Sequence, residues 1–207
     1  MQRKEHWDQV YNERTPEQVS WYQTHPQPSW SMIEHSGIRP AEAIIDVGGG
    51  ASNLVDHLLA SGWEAVTVLD LSAAALRLAG ERLGSKADRV TWIDADVTAF
   101  APPQRYRLWH DRAVLHFLTD ADDRARYRSV LKEAVAPGGQ VIIGAFALDG
   151  PDQCSGLPVV RYSPHSLAAL LGEHYALKES RHVAHRTPWE SAQNFVFCRF
   201  QYQPDAE

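Results

Sequence analysis

IIDVGGGASNLVDHLL, residues 44–59, runs from a short apolar segment through an acid and three consecutive glycines into a helical pattern. A strand, a glycine turn and a helix N-terminus form the first unit of nucleotide-binding α/β folds. The dinucleotide version of this turn, G-x-G-x-x-G, brings backbone amides up to a pyrophosphate. Aligned on Gly48 and Gly50, that pattern places Asn53 where the third glycine should stand. Asp46, just ahead of the glycines, is more informative. Its charge repels a pyrophosphate and favours an ammonium group, so the loop predicts a zwitterionic ligand.

From the loop outward, short apolar strands alternate with amphipathic helices. After the strand at 44–47 and a helix over 52–61, EAVTVLDLS predicts a second strand ending at Asp70. A helix capped by Ser72 and stopped by Gly84 follows. RVTWIDADV and YRLWHDRA read as the third and fourth strands, residues 120–135 as a long helix closed by APGG, and GQVIIGAF as a fifth strand. Such alternation requires crossover connections, hence a parallel sheet with helices on both faces. Beyond the loop ALDGPDQCSGLPVVRYS and a helix over 164–171, YALKESRHV and NFVFCRFQY lack an intervening helix, so the last strand is expected to run antiparallel.

Residues 1–40 carry two helical patterns, one over 6–14 and one in PSWSMIEHSG, with Ser29 or Ser31 as cap and Gly37 as stop. The aromatic, proline-rich stretch between them predicts an arm packed over something. The expected organisation is one domain over 1–207, with a helical arm or lid at 1–40 and a Rossmann-like core at 41–201.

Composition excludes several classes. With 207 residues and 44% hydrophobic content the chain can bury one sizeable core. A net charge of −6 with scattered basic residues argues against a nucleic-acid partner. The two cysteines, Cys154 and Cys198, have neither C-x-x-C nor zinc spacing; the first is expected exposed in its loop, the second in the core. No apolar run suggests a signal peptide or a membrane span, so a cytoplasmic monomer or homodimer without a membrane partner is expected.

Two further acids sharpen the ligand. Asp70, about 20 residues beyond the glycines, can accept both hydrogen bonds of a ribose diol. Asp96, after the third strand, can accept from an exocyclic adenine amine. Adenine, ribose and an amino-acid head without phosphate describe S-adenosylmethionine.

IIDVGGGASNL, VTVLDLS, WIDADVTAF, YRLWHDRAVLHFL and LKEAVAPGGQVIIGAF resemble the successive motifs of class I S-adenosylmethionine-dependent methyltransferases, over about residues 40–201. The resemblance implies a seven-stranded sheet of order 3-2-1-4-5-7-6 with the seventh strand antiparallel. It places Asp46, Gly48 and Gly50 at the methionine portion of the cofactor, Asp70 and Leu71 at ribose and adenine, and Asp96 and Val97 at adenine. HWDQVY is similar to the W-D-x-x-Y helix of small methyltransferases that act on lysine, and implies that Trp7 and Tyr11 cover the methionine end; a plain packing role for this helix face is the alternative. Two departures stand out. Ser52 replaces the third glycine of D-x-G-x-G-x-G as a capping substitute, and DRAV stands where lysine-modifying relatives carry acid-Lys-Gly-Thr.

Methyl transfer is an in-line displacement, so a protonated acceptor needs a base near the C-terminal end of the fourth strand. His110, Asp111 and His116 are the candidates, although strand alternation lets only one of His110 and Asp111 face the cleft. His182, His185, Arg186 and Trp189 are expected to cluster in one turn between the last strands. No metal-ligand spacing occurs. The expected activity is methyl transfer from S-adenosylmethionine, yielding S-adenosylhomocysteine, to an O, N or S nucleophile of a small molecule. A protein-lysine methyltransferase and a non-catalytic cofactor-binding module are the alternatives.

Overall fold

The computed structural model describes residues 2–204. Its frame is a seven-stranded sheet of β1 (Ile44–Val47), β2 (Val66–Asp70), β3 (Val90–Asp94), β4 (Tyr106–Arg112), β5 (Val135–Phe146), β8 (Tyr175–Arg186) and β9 (Ala192–Tyr202). The spatial order is β3-β2-β1-β4-β5-β9-β8, which is 3-2-1-4-5-7-6 when only these strands are counted. β9 runs antiparallel to both β5 and β8, while β1 pairs in parallel with β2 and β4. The expected Rossmann-like α/β fold is therefore borne out. β6 (Gln153–Cys154) and β7 (Leu157–Pro158) form a small separate hairpin in the loop after β5.

Alternation along the strands divides the core. Ile44, Leu108 and Ile142 project towards Met32 of α2 (Gln27–His35) and Leu58 of α3 (Leu54–Ala60). Ile45, Trp109 and Ile143 project the other way, towards Tyr127 and Leu131 of α5 (Ala121–Ala134) and Leu167 of α6 (Pro164–Leu171). Each fully buried aliphatic side chain contributes about 1.5–3 kcal/mol. The sheet is thus fixed from both sides, which holds the C-terminal ends of β1, β2 and β4 in one register.

Several local readings differ from expectation. α2 begins at Gln27 behind Pro26, ahead of Ser29 and Ser31, because Pro28 occupies the first turn, where its missing N–H costs nothing. β5 starts directly at Val135 and carries APGG within it; the pairing with β4 slips between Tyr106 and Leu108, and Gly138 takes φ +73° to absorb the extra residues. His182, His185 and Arg186 lie within β8 rather than in a turn, since the last hairpin stays paired as far as Arg186↔Ala192. His182 contacts Asp149, while His185 Nε2 donates to the Ser20 carbonyl, 2.7 Å away. Cys198 is in the core as expected, but Cys154 is buried too, 6% exposed within the small hairpin. Among the described residues, no helix is long and apolar enough to cross a membrane.

Candidate cofactor and acceptor cleft

The site forms where β1 and β2 end and the chain must turn into helices. Gly48 takes φ +66° and Gly50 φ +39°, a region that disfavours side chains. A Cβ on Gly48 would lie 2.0 Å from Val114 Cγ2, one on Gly49 2.6 Å from Asp46 Oδ2, and one on Gly50 2.7 Å from Asp70 Oδ2. The three glycines thus let two carboxylates and the segment after β4 close on a bare backbone turn. Ser52 Oγ accepts from Leu54 N–H (3.1 Å), which satisfies one of the free donors at the start of α3.

Around this turn lies a cleft that is partly open to solvent. Trp7, Tyr11, Gly48, Asp70, Leu71, Asp96 and Val97 line it; Gly50 stands behind Asp70. Asp70 Oδ1 accepts from Ser72 N–H at 2.8 Å, leaving the second oxygen beside the glycine turn. Burial pushes the Asp70 carboxyl up to about 7, with the charges of Asp46 and Asp94 adding to the rise against the Ser72 hydrogen bond. Asp96 Oδ1 accepts from both the N–H and the hydroxyl of Thr98, at 2.8 and 2.7 Å, which fixes the turn after β3.

Asp46 is placed differently from its neighbours. It is 2% exposed and absent from the main cleft, and its Oδ1 lies 2.7 Å from His110 Nδ1. His110 Nε2 in turn lies 2.8 Å from Ser29 Oγ, so both ring nitrogens are engaged beneath the glycine turn. The negative charge read from the sequence as an ammonium partner is answered by a residue on the adjacent strand.

The three residues expected as bases are all withdrawn from the cleft. His110 is committed to Asp46 and Ser29. Asp111 is fully buried, accepting from Tyr127 O–H (2.8 Å) and from the N–H groups of Val114 (3.0 Å) and Leu115 (3.2 Å). Burial raises its carboxyl to about 6 against those hydrogen bonds, and its work is to start the 3₁₀ turn Leu115–Phe117. His116, also fully buried, sits between Phe117 and Phe146. Burial and the Arg112 charge push it down to about 3, so it is a neutral ring. None of the three lines the cleft. Cys154 does, and burial pushes its thiol up to about 11, which corrects the reading of an exposed, reactive cysteine.

Other residues join the site that the sequence did not single out. Lys4 and Asp8 of α1 (Gln2–Glu13) stitch the arm to the ends of β2 and β3: Lys4 Nζ donates to the Leu71 carbonyl (2.8 Å) and Asp94 Oδ1 (2.7 Å), and Asp8 Oδ1 accepts from Ser72 O–H (2.7 Å). Arg3 pairs with Asp123 of α5. Trp7 then packs edge-on against Phe117 and Trp21, with ring centroids 5.0 and 5.6 Å apart, and Tyr11 O–H accepts from Trp21 Nε1 (3.2 Å). The signal was present as an i, i+4 pair, Lys4 and Asp8, on the helix that carries Trp7 and Tyr11. Arg112, noted only as part of the unusual DRAV, lines the cleft beside Tyr11 and Trp21.

Residues 44–139 match the family described as Methyltransferase domain. The chain is 25% identical over 122 residues to the eEF1A lysine and N-terminal methyltransferase of Bos taurus, covering 58% of this chain and 17% of that protein. It therefore spans about a sixth of that relative's length. A solved structure described as the conversion of a disulfide bond into a thioacetal group during echinomycin biosynthesis superposes with a TM-score of 0.77 at 21% identity, over 98% of this chain and 94% of that one. The N-methyltransferase NodS from Bradyrhizobium japonicum WM9, in complex with S-adenosyl-l-homocysteine, superposes at 0.71 with 17% identity, over 95% and 98%. These solved structures share the fold. Residues 44–139 thus match a methyltransferase domain, carried on a fold shared with solved methyltransferase structures.

Proposed function

We propose that the chain transfers a methyl group from S-adenosylmethionine to a nitrogen, sulfur or oxygen nucleophile of a small molecule. The observation that carries this reading is that one cleft brings together Asp96 and Val97, Asp70 and Leu71, Gly48 of the glycine turn, and the aromatic side chains of Trp7, Trp21 and Phe117. The first four would hold adenine and ribose, with both diol hydroxyls donating to the Asp70 carboxylate. Gly48 and Gly50 would let the methionine chain pass close to backbone. Bound there, S-adenosylmethionine supplies an electrophilic methyl group.

The chain's contribution is then position and dryness. Arm residues Trp7, Tyr11 and Trp21 wall the cleft and exclude water, which shields the reactive centre and aligns an apolar or aromatic acceptor. The cleft's two carboxylates lie at its adenosine end and its thiol stays protonated, so the favoured acceptor brings its own lone pair, as a neutral amine or an ionised thiol or hydroxyl.

A protein-lysine substrate is the second reading, favoured by HWDQVY and by the resemblance to the eEF1A lysine and N-terminal methyltransferase. DRAV in place of acid-Lys-Gly-Thr weighs against it. Labelled methyl transfer, offered a panel of amines, thiols and phenols beside a protein extract, separates the two. Label on small molecules supports the first reading; label confined to protein supports the second. No label, with S-adenosylmethionine still bound, would turn the reading into a cofactor-binding module.

A further inference from the structure

Among the described residues, the guanidinium of Arg112 is the cationic group that lines the cleft with buried donors left unanswered. Its Nη1 donates to the Trp21 carbonyl at 2.9 Å, and Cζ lies 5.3 Å from the centroid of the Phe195 ring. Nε and Nη2 are buried with no hydrogen-bond partner. Among the described residues no ion pair reaches it: Asp46, whose charge it feels, is already engaged by His110. A buried cation without a counter-ion is costly, and unsatisfied buried donors are rare in native proteins. Burial pulls the group down to about 10, which still leaves it fully charged at neutral pH.

The pattern of the free donors is specific. Nε and Nη2 form one edge of the planar fork, and two parallel N–H groups along an edge match the two oxygens of a carboxylate. The remaining donor, Nη1, is tethered to the backbone of the arm, so the fork is held in one orientation. Arg112 also lines two small cavities flanking the glycine turn, beside Gly48, Gly49 and Ser52, neither of which includes Asp96.

We infer that Arg112 is the carboxylate-recognising residue of this cleft, taking up a carboxylate through its Nε–Nη2 edge. The inference rests on the methyltransferase reading. Two sources would present such a group here: the amino-acid end of the cofactor, or an acceptor that is itself a carboxylic acid. Either makes Arg112 a binding residue and gives the buried charge its missing partner.

Calorimetric titration distinguishes the sources. Wild type, Arg112→Gln and Arg112→Lys are titrated with S-adenosylhomocysteine and with its decarboxylated analogue. Wild type and Arg112→Gln, each loaded with S-adenosylhomocysteine, are also titrated with aromatic acids and their primary amides. If the cofactor is the source, loss of its carboxylate weakens binding to wild type about 10- to 100-fold, and Arg112→Gln suffers that loss on the intact ligand with nothing further on the analogue. Arg112→Lys, which keeps the charge and loses the fork, falls between. If the acceptor is the source, Arg112→Gln binds S-adenosylhomocysteine as wild type does, and only the wild type prefers acids to amides.

The inference is overturned if wild type binds carboxylate and carboxylate-free ligands equally in both arms, a comparison that needs no variant to fold. Failure of the wild type to bind S-adenosylhomocysteine at all would overturn the methyltransferase reading instead.

Discussion

Asp70→Asn should make the protein more stable and its cofactor binding weaker, and the two effects have one cause. The carboxylate is buried with the charges of Asp46 and Asp94 nearby, which raises it from 3.8 to about 7. For an acid, a raised folded-state value means that ionisation costs stability. The cost is absent below pH ~4, grows as pH rises towards 7, and is complete above it, where it reaches on the order of 4 kcal/mol. The amide keeps the shape and can still accept from Ser72 N–H through Oδ1. Asp70→Asn should therefore melt several degrees above wild type at pH 8, at roughly 2–4 °C per kcal/mol for a chain of this size, with the gap closing as pH falls towards 5. Affinity should move the other way. Hydrogen bonds to a charged acceptor contribute about 1.5–3 kcal/mol each, so loss of the charge should weaken S-adenosylhomocysteine binding at least 10-fold. Wild-type affinity should also decline below pH ~7 as Asp70 takes up a proton, while that of the variant stays flat. Melting curves and calorimetry across pH 5–8 test both halves. A variant that is less stable than wild type at pH 8 and binds equally well would refute the reasoning.

Gly48→Ala should cost about 1–2 kcal/mol from the left-handed backbone alone. The clash with Val114 adds to this, so both a lowered melting temperature and lost S-adenosylhomocysteine binding are expected by thermal-shift titration. His110→Ala leaves the buried Asp46 carboxyl without its hydrogen-bond partner and should destabilise the fold by about 1–3 kcal/mol in chemical denaturation; at a temperature where it remains folded, the pH profile of turnover should match wild type, whereas a lost pH limb would restore His110 as a base. Lys4→Met should release the arm from Leu71 and Asp94 and raise KM for the cofactor more than it lowers kcat, and an unchanged KM would show that α1 does not depend on this tether.

Much of the fold was legible because its signals are local. Alternating apolar strands, Ser72 and Gly84 around α4 (Ala73–Leu83), and Pro164 opening α6 each act within a few residues. The order of the sheet came from the resemblance, since strand neighbours are set by contacts distant in sequence. For the cleft, a carboxylate at the end of a strand was visible as a candidate, but its direction was not. Asp70 and Asp96 line the cavity, while Asp46 is drawn away by His110, which is 64 residues along the chain. The same holds for the proposed bases: their burial follows from Ser29, Tyr127 and Phe146 packing from other elements. Arg112 was hidden for the converse reason, because what marks it is the absence of a partner, and only three-dimensional packing reveals that.

On the proposed function, one cleft holds an adenosyl amino-acid cofactor beside an acceptor chamber. Titration of the wild-type protein with S-adenosylmethionine, followed calorimetrically with NADH as the competing ligand, tests it most directly. Saturable one-to-one binding of S-adenosylmethionine, weakened at least 10-fold in Asp70→Asn and indifferent to NADH, is the result predicted. Binding of NADH with none of S-adenosylmethionine would contradict it.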